Sequence, residues 1–163
     1  MSVRVQKEDF DVGAELNALT QRARAEGKGI GGIVTFSGIV REFSEGQRLA
    51  AMTLEHYPGM TERQLEDIEA EALRRWPLDA SLIIHRYGRL EPGANIVLCI
   101  TASAHRQAAF EANEFLVDWL KTKAPFWKLE SGPKGESWVA AKSSDDKAAD
   151  RWNVAPAAAK RRA

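Results

Sequence analysis

The amino-acid sequence predicts an α+β fold in which helices pack on a mixed or antiparallel sheet. Three features support this: short runs rich in Val and Ile, longer amphipathic runs bounded by capping residues, and Gly/Pro turns between them. The 163 residues suit one domain with a substantial core. We expect a single domain over residues 1–152 and a mobile, Ala-rich and basic tail over residues 153–163.

Seven short segments with β-branched or aromatic residues favour β-strands, most clearly the run at 33–41, which is rich in β-branched residues. They are residues 3–5, 33–41, 49–57, 81–87, 95–101, 126–130 and 137–141. The turn at Glu45-Gly46-Gln47 predicts that the second and third strands pair as an antiparallel hairpin. The last two strands flank the turn Gly132-Pro133-Lys134-Gly135.

Three segments favour helices because their apolar residues recur at helical spacing. They run from about residue 11 to 26, 61 to 75 and 104 to 123. Asp11 and Ser103 are candidate N-caps, and Thr61 with Gln64 forms a capping-box pattern. Trp76-Pro77 and Pro125 should end the second and third helices. The glycines at 27, 29, 31 and 32 follow the first helix and precede a strand, so we interpret them as a flexible turn and not as a dinucleotide-binding loop.

Composition narrows the classes of function. Lys and Arg together number 23, as do Asp and Glu, so there is no basic excess of the kind that nucleic-acid binders show. No secretory signal or membrane-spanning run is evident, and we expect a cytoplasmic protein. Cys99 lies in an apolar strand, which favours a buried hydrophobe over a reactive thiol. His56, His85 and His105 are scattered, so we expect no metal site.

Two clusters could bind or transform an anion. His105 and Arg106 lie where a strand meets a helix N-terminus, a location that attracts phosphate; a capping His and a solvated Arg explain them equally well. Lys121 and Lys128 flank an aromatic Pro-Phe-Trp turn, where apolar rings and neighbouring cations lower lysine pKa values. Lysines at a helix C-terminus are also common without any function. Arg41 lies at a strand end, where it could bind an anion or could simply be a solvated charge.

Several segments resemble the catalytic (large) subunit family of molybdopterin synthase. The most specific are TLEHYPGMT at 53–61, TASAHR at 101–106 and LKTKAPFWK at 120–128; RRWPL at 74–78, IHR at 84–86 and DRW at 150–152 add to the match. These segments occur in the family's order over most of the chain.

The resemblance implies an α/β hammerhead fold with a small additional β-subdomain. It implies a sulfurtransferase of molybdenum-cofactor biosynthesis that converts cyclic pyranopterin monophosphate into the dithiolene of molybdopterin. Both sulfurs would come from the C-terminal thiocarboxylate of a ubiquitin-like small subunit. A homodimer of the large subunit would form the centre of a heterotetramer. No cofactor, metal, nucleic acid or membrane is implied.

The same resemblance assigns residues. Lys121 and Lys128 match the catalytic lysines. The matching substrate-binding positions are Ile39, Val40, Arg41, His105, Arg106, Lys121, Lys128, Leu129, Glu130 and Lys142. Two of these depart from the family pattern: Leu129 stands where a basic residue is frequent, and Lys142 replaces an Arg, keeping the charge but losing the bidentate fork.

Helix geometry adds a prediction about assembly. Arg106 and Lys121 are fifteen positions apart, or roughly 22 Å along a continuous helix, which is too far to hold one small pterin. Either the helix is broken, or each site combines Lys121 and Lys128 of one subunit with His105 and Arg106 of another. We favour the second, which requires a homodimer.

Two other functions are also compatible with the sequence. The first is a non-catalytic docking module for the tail of a ubiquitin-like protein, in which the lysines supply only charge. The second is a phosphoester hydrolase built on His105, which lacks an evident nucleophile or metal cluster. Formation of dithiolene separates the favoured function from both.

Overall fold

The computed structural model describes residues 2–153, which form two four-stranded sheets, a two-stranded hairpin and four α-helices. The strands are β1 (Val3–Gln6), β2 (Gly32–Ile39), β3 (Phe43–Ser44), β4 (Gln47–Arg48), β5 (Ala51–His56), β6 (Leu78–Arg86), β7 (Gly88–Leu90), β8 (Asn95–Ser103), β9 (Phe126–Gly132) and β10 (Gly135–Trp138). The helices are α1 (Val12–Ala25), α2 (Met60–Arg75), α3 (Arg106–Lys123) and α4 (Ser143–Asp150), followed by a 3-10 turn at Arg151–Asn153. The α+β class predicted from the sequence is confirmed.

The first sheet is mixed and carries helices on both faces. Its order is β1-β6-β8-β2, with β1 parallel to β6 and the other pairs antiparallel. Side chains alternate along β6: Ile83 packs with Phe115 of α3, whereas Leu82 and Ile84 pack with Leu19 of α1. Two apolar clusters therefore lie on opposite faces of one sheet.

The second sheet is antiparallel, in the order β10-β9-β5-β7. It buries a smaller cluster that contains Val40, Met52, Leu54 and Leu90. This sheet corrects the predicted hairpin: β2 pairs with β8, whereas β5 pairs with β7 and β9. The turn at Glu45-Gly46 closes only the short β3–β4 pair, because β5 buries its side chains in this separate cluster.

Two helix starts also differ from the prediction. Gly59, at φ 81°, precedes α2, and the Glu62 carboxylate accepts its N–H at 2.6 Å. Thr61 instead donates its hydroxyl to the carbonyl of Tyr57 at 2.8 Å, so the predicted Thr61–Gln64 capping box is wrong. Ser103 ends β8, and the residue that precedes α3 is His105. Asp11 does cap α1, accepting the N–H of Ala14 at 2.8 Å.

The C-terminal part contains a helix that the sequence did not suggest. After α4, Trp152 donates its indole N–H to Asp118 at 2.7 Å and packs edge-on against Trp76 and Phe115. These contacts fasten the end of the described chain to α3. The predicted mobile tail falls mainly on residues 154–163, which lie outside the described part, although Asn153 belongs to the 3-10 turn.

Two further predictions concern Cys99 and membranes. Cys99 has no exposed surface, and burial raises the pKa of its thiol to about 12, which confirms a buried hydrophobe. No helix between residues 2 and 153 combines the length and apolar character needed to cross a membrane.

Candidate active site

A cavity of about 470 Å³ lies where the two sheets meet the C-terminal end of α3. Its floor includes three residues that are neighbours across the first sheet. Gly38 of β2 pairs with Val97 of β8, which pairs with His85 of β6. The end of α3 and strand β9 supply further walls through Leu120 and Phe126. The cavity is therefore built from elements that are distant in sequence.

Cations dominate the polar lining of this cavity. Arg41, Lys121, Lys128 and Lys142 all contribute to the walls, and no Asp or Glu is among the described residues that line it. The formal net charge of the whole chain is zero, so the positive charge is local. Such a cavity favours anionic ligands, because a partly enclosed site weakens screening by solvent.

Local structure explains how the two lysines of the LKTKAPFWK segment reach one cavity. Lys121 lies in the last turn of α3, and the chain reverses through Ala124 and Pro125 into β9. Phe126 and Lys128 are two positions apart on that strand and share one face, whereas Trp127 is 45% exposed and packs edge-on against Tyr57 at 5.5 Å. The reversal places Lys121 and Lys128 on adjoining walls.

The ammonium group of Lys128 has a lowered pKa. Burial is the main cause that lowers its pKa, followed by the charge of Lys121. Lys142 and Arg41 lower the pKa further, and only Asp145 opposes them. A lysine in such surroundings gives up a proton more readily than a solvated lysine.

His85 forms an uncharged part of the floor. Its ring stacks on that of Phe126 with centroids 3.6 Å apart and planes at 14°, and its Nδ1 lies 2.9 Å from the carbonyl oxygen of Arg86. Burial lowers the pKa of His85 to about 4; the hydrogen bond to Arg86 opposes this shift, and the charges of Lys128 and His56 add to it. The imidazole is therefore neutral near pH 7.

The structure brings together half of the ten positions that the resemblance assigned. Five line the cavity: Ile39, Arg41, Lys121, Lys128 and Lys142. Val40 is buried in the core of the second sheet instead. Leu129 and Glu130 follow Lys128 on β9 but are not part of the lining. The roles of all ten positions in substrate binding or catalysis remain predictions.

His105 and Arg106 lie elsewhere. They are exposed at the N-terminal end of α3, which continues unbroken for 18 residues to Lys123. Arg106 is therefore roughly 22 Å along the helix axis from Lys121. A break in the helix, which would have let Arg106 and Lys121 of one chain approach the same ligand, is therefore excluded.

Close packing holds the turn before Arg106. A Cβ atom added to Gly31 would lie 2.2 Å from the carbonyl oxygen of Ala104, and one added to Gly32 would lie 3.4 Å from the Cα of Arg106. The interpretation of all these glycines as a flexible turn is wrong at Gly31, because only a residue without a side chain permits this approach. Gly29, by contrast, faces open space.

Sequence reasoning missed His85 and Phe126 as cavity residues. The only available signal was the histidine within an apolar strand, which equally suits a core position. Within residues 2–153, no group of three or more His, Cys, Asp or Glu side chains is arranged to hold a metal ion.

Comparison with known proteins gives consistent similarities. Residues 5–123 match the family model described as MoaE protein. The molybdopterin synthase catalytic subunit of Pseudomonas aeruginosa is 55% identical over 152 residues, covering 93% of this chain and 99% of the relative. The structure of a molybdopterin biosynthesis MoaE protein from Burkholderia ambifaria is 50% identical, with a TM-score of 0.78 over 94% of this chain and 98% of the other. The molybdopterin synthase structure from Staphylococcus aureus is 28% identical, with a TM-score of 0.74 over 83% of this chain and 95% of the other.

Proposed function

This chain belongs to the MoaE protein family, and we propose that it is the catalytic subunit of a molybdopterin synthase. Its reaction is the transfer of two sulfurs to cyclic pyranopterin monophosphate, which forms the dithiolene of molybdopterin. The observation that carries the proposal is the cavity with four cations and, among its described lining residues, no carboxylate. The family predicted from the sequence segments is confirmed.

The charge of the cavity suits both reactants. A cyclic phosphate and a thiocarboxylate are anions, and bringing them together requires positive charge held in place before the reaction begins. Arg41, Lys121, Lys128 and Lys142 provide that charge. Their convergence also favours the negative charge that develops as sulfur adds to the pterin side chain and the cyclic phosphate opens.

The two lysines are suited to proton transfer and to charge stabilisation. The pKa of Lys128 is lowered, chiefly by burial and then by Lys121, so its ammonium group donates a proton more readily than that of a solvated lysine. Lys121 contributes a second ammonium group at the adjoining wall. We assign both residues to the chemical step and Arg41 to substrate binding.

The sulfur must come from another molecule. Cys99, the only cysteine of the chain, is fully buried, and its raised pKa keeps the thiol protonated. The proposed donor is the thiocarboxylated C-terminal tail of a ubiquitin-like small subunit, which enters the cavity. The relative from P. aeruginosa is named as the catalytic subunit of its enzyme, which agrees with such a division of labour.

A second copy of the chain would complete the site. The unbroken helix α3 separates Arg106 from Lys121, so one chain cannot apply both to one small pterin. We propose that His105 and Arg106 of one subunit hold the phosphate beside the lysines of the other. Two large and two small subunits would then form the cytoplasmic enzyme, with a two-fold axis relating its two sites.

Reconstitution tests this function directly. The purified chain is mixed with the thiocarboxylated small subunit and cyclic pyranopterin monophosphate, and dithiolene formation is measured. A docking module would bind the small subunit without forming dithiolene, and a phosphoester hydrolase would open the cyclic phosphate without requiring the small subunit. Either result would replace the proposal with that rival.

A further inference from the structure

Among the described residues that line the cavity, His85 and Ser37 are polar and uncharged, and the proposed mechanism gives neither of them a role. Only 6% of the surface of His85 is exposed, yet the residue is among those that line the cavity. The stack on Phe126 and the contact with the Arg86 carbonyl fix both the plane and the rotation of the ring. A side chain held in this way presents a defined edge to a ligand.

The contact with Arg86 determines the tautomer. A carbonyl oxygen only accepts hydrogen bonds, so Nδ1 must carry the proton that it donates across 2.9 Å. In a neutral imidazole, Nε2 then carries a lone pair and no proton. No group within residues 2–153 donates a hydrogen bond to Nε2. Nε2 of His85 is therefore an acceptor that can take a hydrogen bond from a ligand or from solvent.

Acceptors are scarce in this cavity. The side chains of Arg41, Lys121, Lys128 and Lys142 donate hydrogen bonds but cannot accept them when charged. Apart from the weakly accepting sulfur of Met52, the side-chain acceptors among the described lining residues are His85 and the hydroxyl of Ser37. A heterocycle with N–H groups loses hydrogen bonds to water on entering, and these side-chain acceptors, besides backbone carbonyls, are what can replace them.

We propose that Nε2 of His85 accepts a hydrogen bond from an N–H group of the pterin ring and so orients the substrate in the cavity. This inference rests on the proposed function, since it assumes that a pterin is the ligand. It adds a specificity contact to a site whose other polar groups recognise anionic parts of the reactants. A neutral acceptor favours the N–H edge of the ring, whereas the surrounding cationic donors favour a carbonyl edge.

The test uses three histidine variants and binding of cyclic pyranopterin monophosphate without the small subunit. In His85→Asn, the amide can still donate to the Arg86 carbonyl, but the acceptor at the Nε2 position is lost. In His85→Gln, an amide oxygen can reach that position. His56→Asn is the matched control, because His56 also lies beside Phe126, at 6.1 Å, but does not line the cavity.

We expect His85→Asn to weaken binding roughly tenfold, as the loss of one buried hydrogen bond predicts. His85→Gln should recover part of the affinity, and His56→Asn should bind like the wild type. Thermal unfolding of each variant establishes that it is folded. In the wild type, the nitrogen NMR signal of His85 Nε2 should move toward that of a hydrogen-bonded acceptor when the precursor is added, a change that a purely structural histidine would not show.

Several results would overturn the inference while leaving the proposed function intact. One is wild-type affinity for the precursor in folded His85→Asn together with an unchanged Nε2 signal. Another is a loss of affinity in Ser37→Ala alone, which would make Ser37 the acceptor. A third is wild-type affinity of His85→Asn for the precursor together with weakened binding of the small subunit in a separate titration, which would assign His85 to the tail. Failure of the wild type itself to bind the precursor or form dithiolene would instead refute the proposed function.

Discussion

Lys121 lowers the pKa of Lys128 across the cavity, an effect exceeded only by the burial of Lys128 itself. The two residues belong to different elements, the last turn of α3 and strand β9, and are separated along the chain by the reversal at Ala124 and Pro125. The charge of Lys121 therefore affects how readily Lys128 is protonated. Removal of Lys121 should change the chemistry of Lys128 as well.

The first prediction concerns these two lysines. We expect Lys121→Ala and Lys128→Ala each to reduce single-turnover dithiolene formation by at least about a hundredfold, as is typical for loss of a positioned proton donor. Lys123→Ala is the matched control: Lys123 lies in the same helix turn but packs over the ring of Trp119, 4.4 Å from its centroid, and does not line the cavity. Rates near the wild-type value in both cavity variants would contradict the assignment.

The second prediction isolates the phosphate contact. Arg106→Ala should weaken precursor binding by about 1.5–3 kcal/mol, the usual cost of losing a hydrogen bond to a charged group. Arg24→Ala, which alters an exposed arginine of α1, should have no effect. Isothermal calorimetry measures both affinities. Equal affinity in the two variants would remove Arg106 from the phosphate site.

Local signals in the sequence were sufficient for most elements but not for strand pairing. Asp11 predicted the start of α1 because a cap is decided by its own side chain and the next few N–H groups. The partner of β5 was mistaken because it depends on where Met52 and Leu54 are buried, and they pack with Leu90, which is distant in sequence. Helix α4 was missed because only two of its eight residues are apolar, and both are alanines with little surface to bury.

In the candidate site, too, features set by nearby residues could be predicted, and features set by distant contacts could not. Lys121 and Lys128 could be predicted because one short segment carries both together with its aromatic turn. His85 could not, because its neighbours in sequence are those of a core strand, and its place in the cavity depends on Phe126 stacking over it. The need for Gly31 was equally hidden, since it results from the approach of Ala104.

The third prediction is a pH dependence of stability. The pKa of His85 is about 4 in the folded protein and near 6.5 when the histidine is solvated, so unfolding takes up a proton between these values. Stability contributed by the neutral imidazole is complete above about pH 6.5 and is lost as the pH falls toward 4. From pH 7 to pH 5 the free energy of unfolding should fall by about 2 kcal/mol through this residue.

Urea unfolding of the wild type and of His85→Phe at these two pH values measures that contribution. The phenylalanine can keep the stack on Phe126 but does not titrate. The free energy of unfolding of the His85→Phe protein should therefore change by about 2 kcal/mol less between pH 7 and pH 5 than that of the wild type. For each protein, the free energy of unfolding at pH 5 is subtracted from that at pH 7. The loss of the hydrogen bond to the Arg86 carbonyl in the variant lowers both values and therefore cancels. Equal pH dependence in both proteins would exclude His85 as the cause.

The fourth prediction uses paired glycines. Gly31→Ala places a Cβ against the carbonyl of Ala104, so the turn that leads to Arg106 must move. We expect a loss of about 1–3 kcal/mol in stability and weaker precursor binding. Gly29→Ala, which meets open space, should change neither. Thermal unfolding and calorimetry give the two readouts, and a Gly31→Ala protein like the wild type in both would show that the turn tolerates displacement.

The last prediction is complementation between inactive variants. Lys121→Ala and Arg106→Ala proteins are mixed under conditions that let subunits exchange. If each site combines Lys121 and Lys128 of one chain with His105 and Arg106 of the other, a mixed dimer regains one intact site. Random pairing makes half of the dimers mixed, each with one of its two sites restored, so dithiolene formation should recover to roughly a quarter of the wild-type rate by two-fold symmetry.

The matched control for this experiment mixes Lys121→Ala with Lys128→Ala. Both lysines belong to the same cavity of one chain, so a mixed dimer contains no intact site and should stay inactive. Recovery in the first mixture but not in this one requires a site shared between subunits, because exchange of subunits is common to both. Absence of recovery in the first mixture, with exchange verified by mass spectrometry of differently tagged chains, would confine each site to one subunit. His105 and Arg106 would then lie outside the substrate-binding site, since the unbroken α3 helix keeps them far from Lys121 of their own chain.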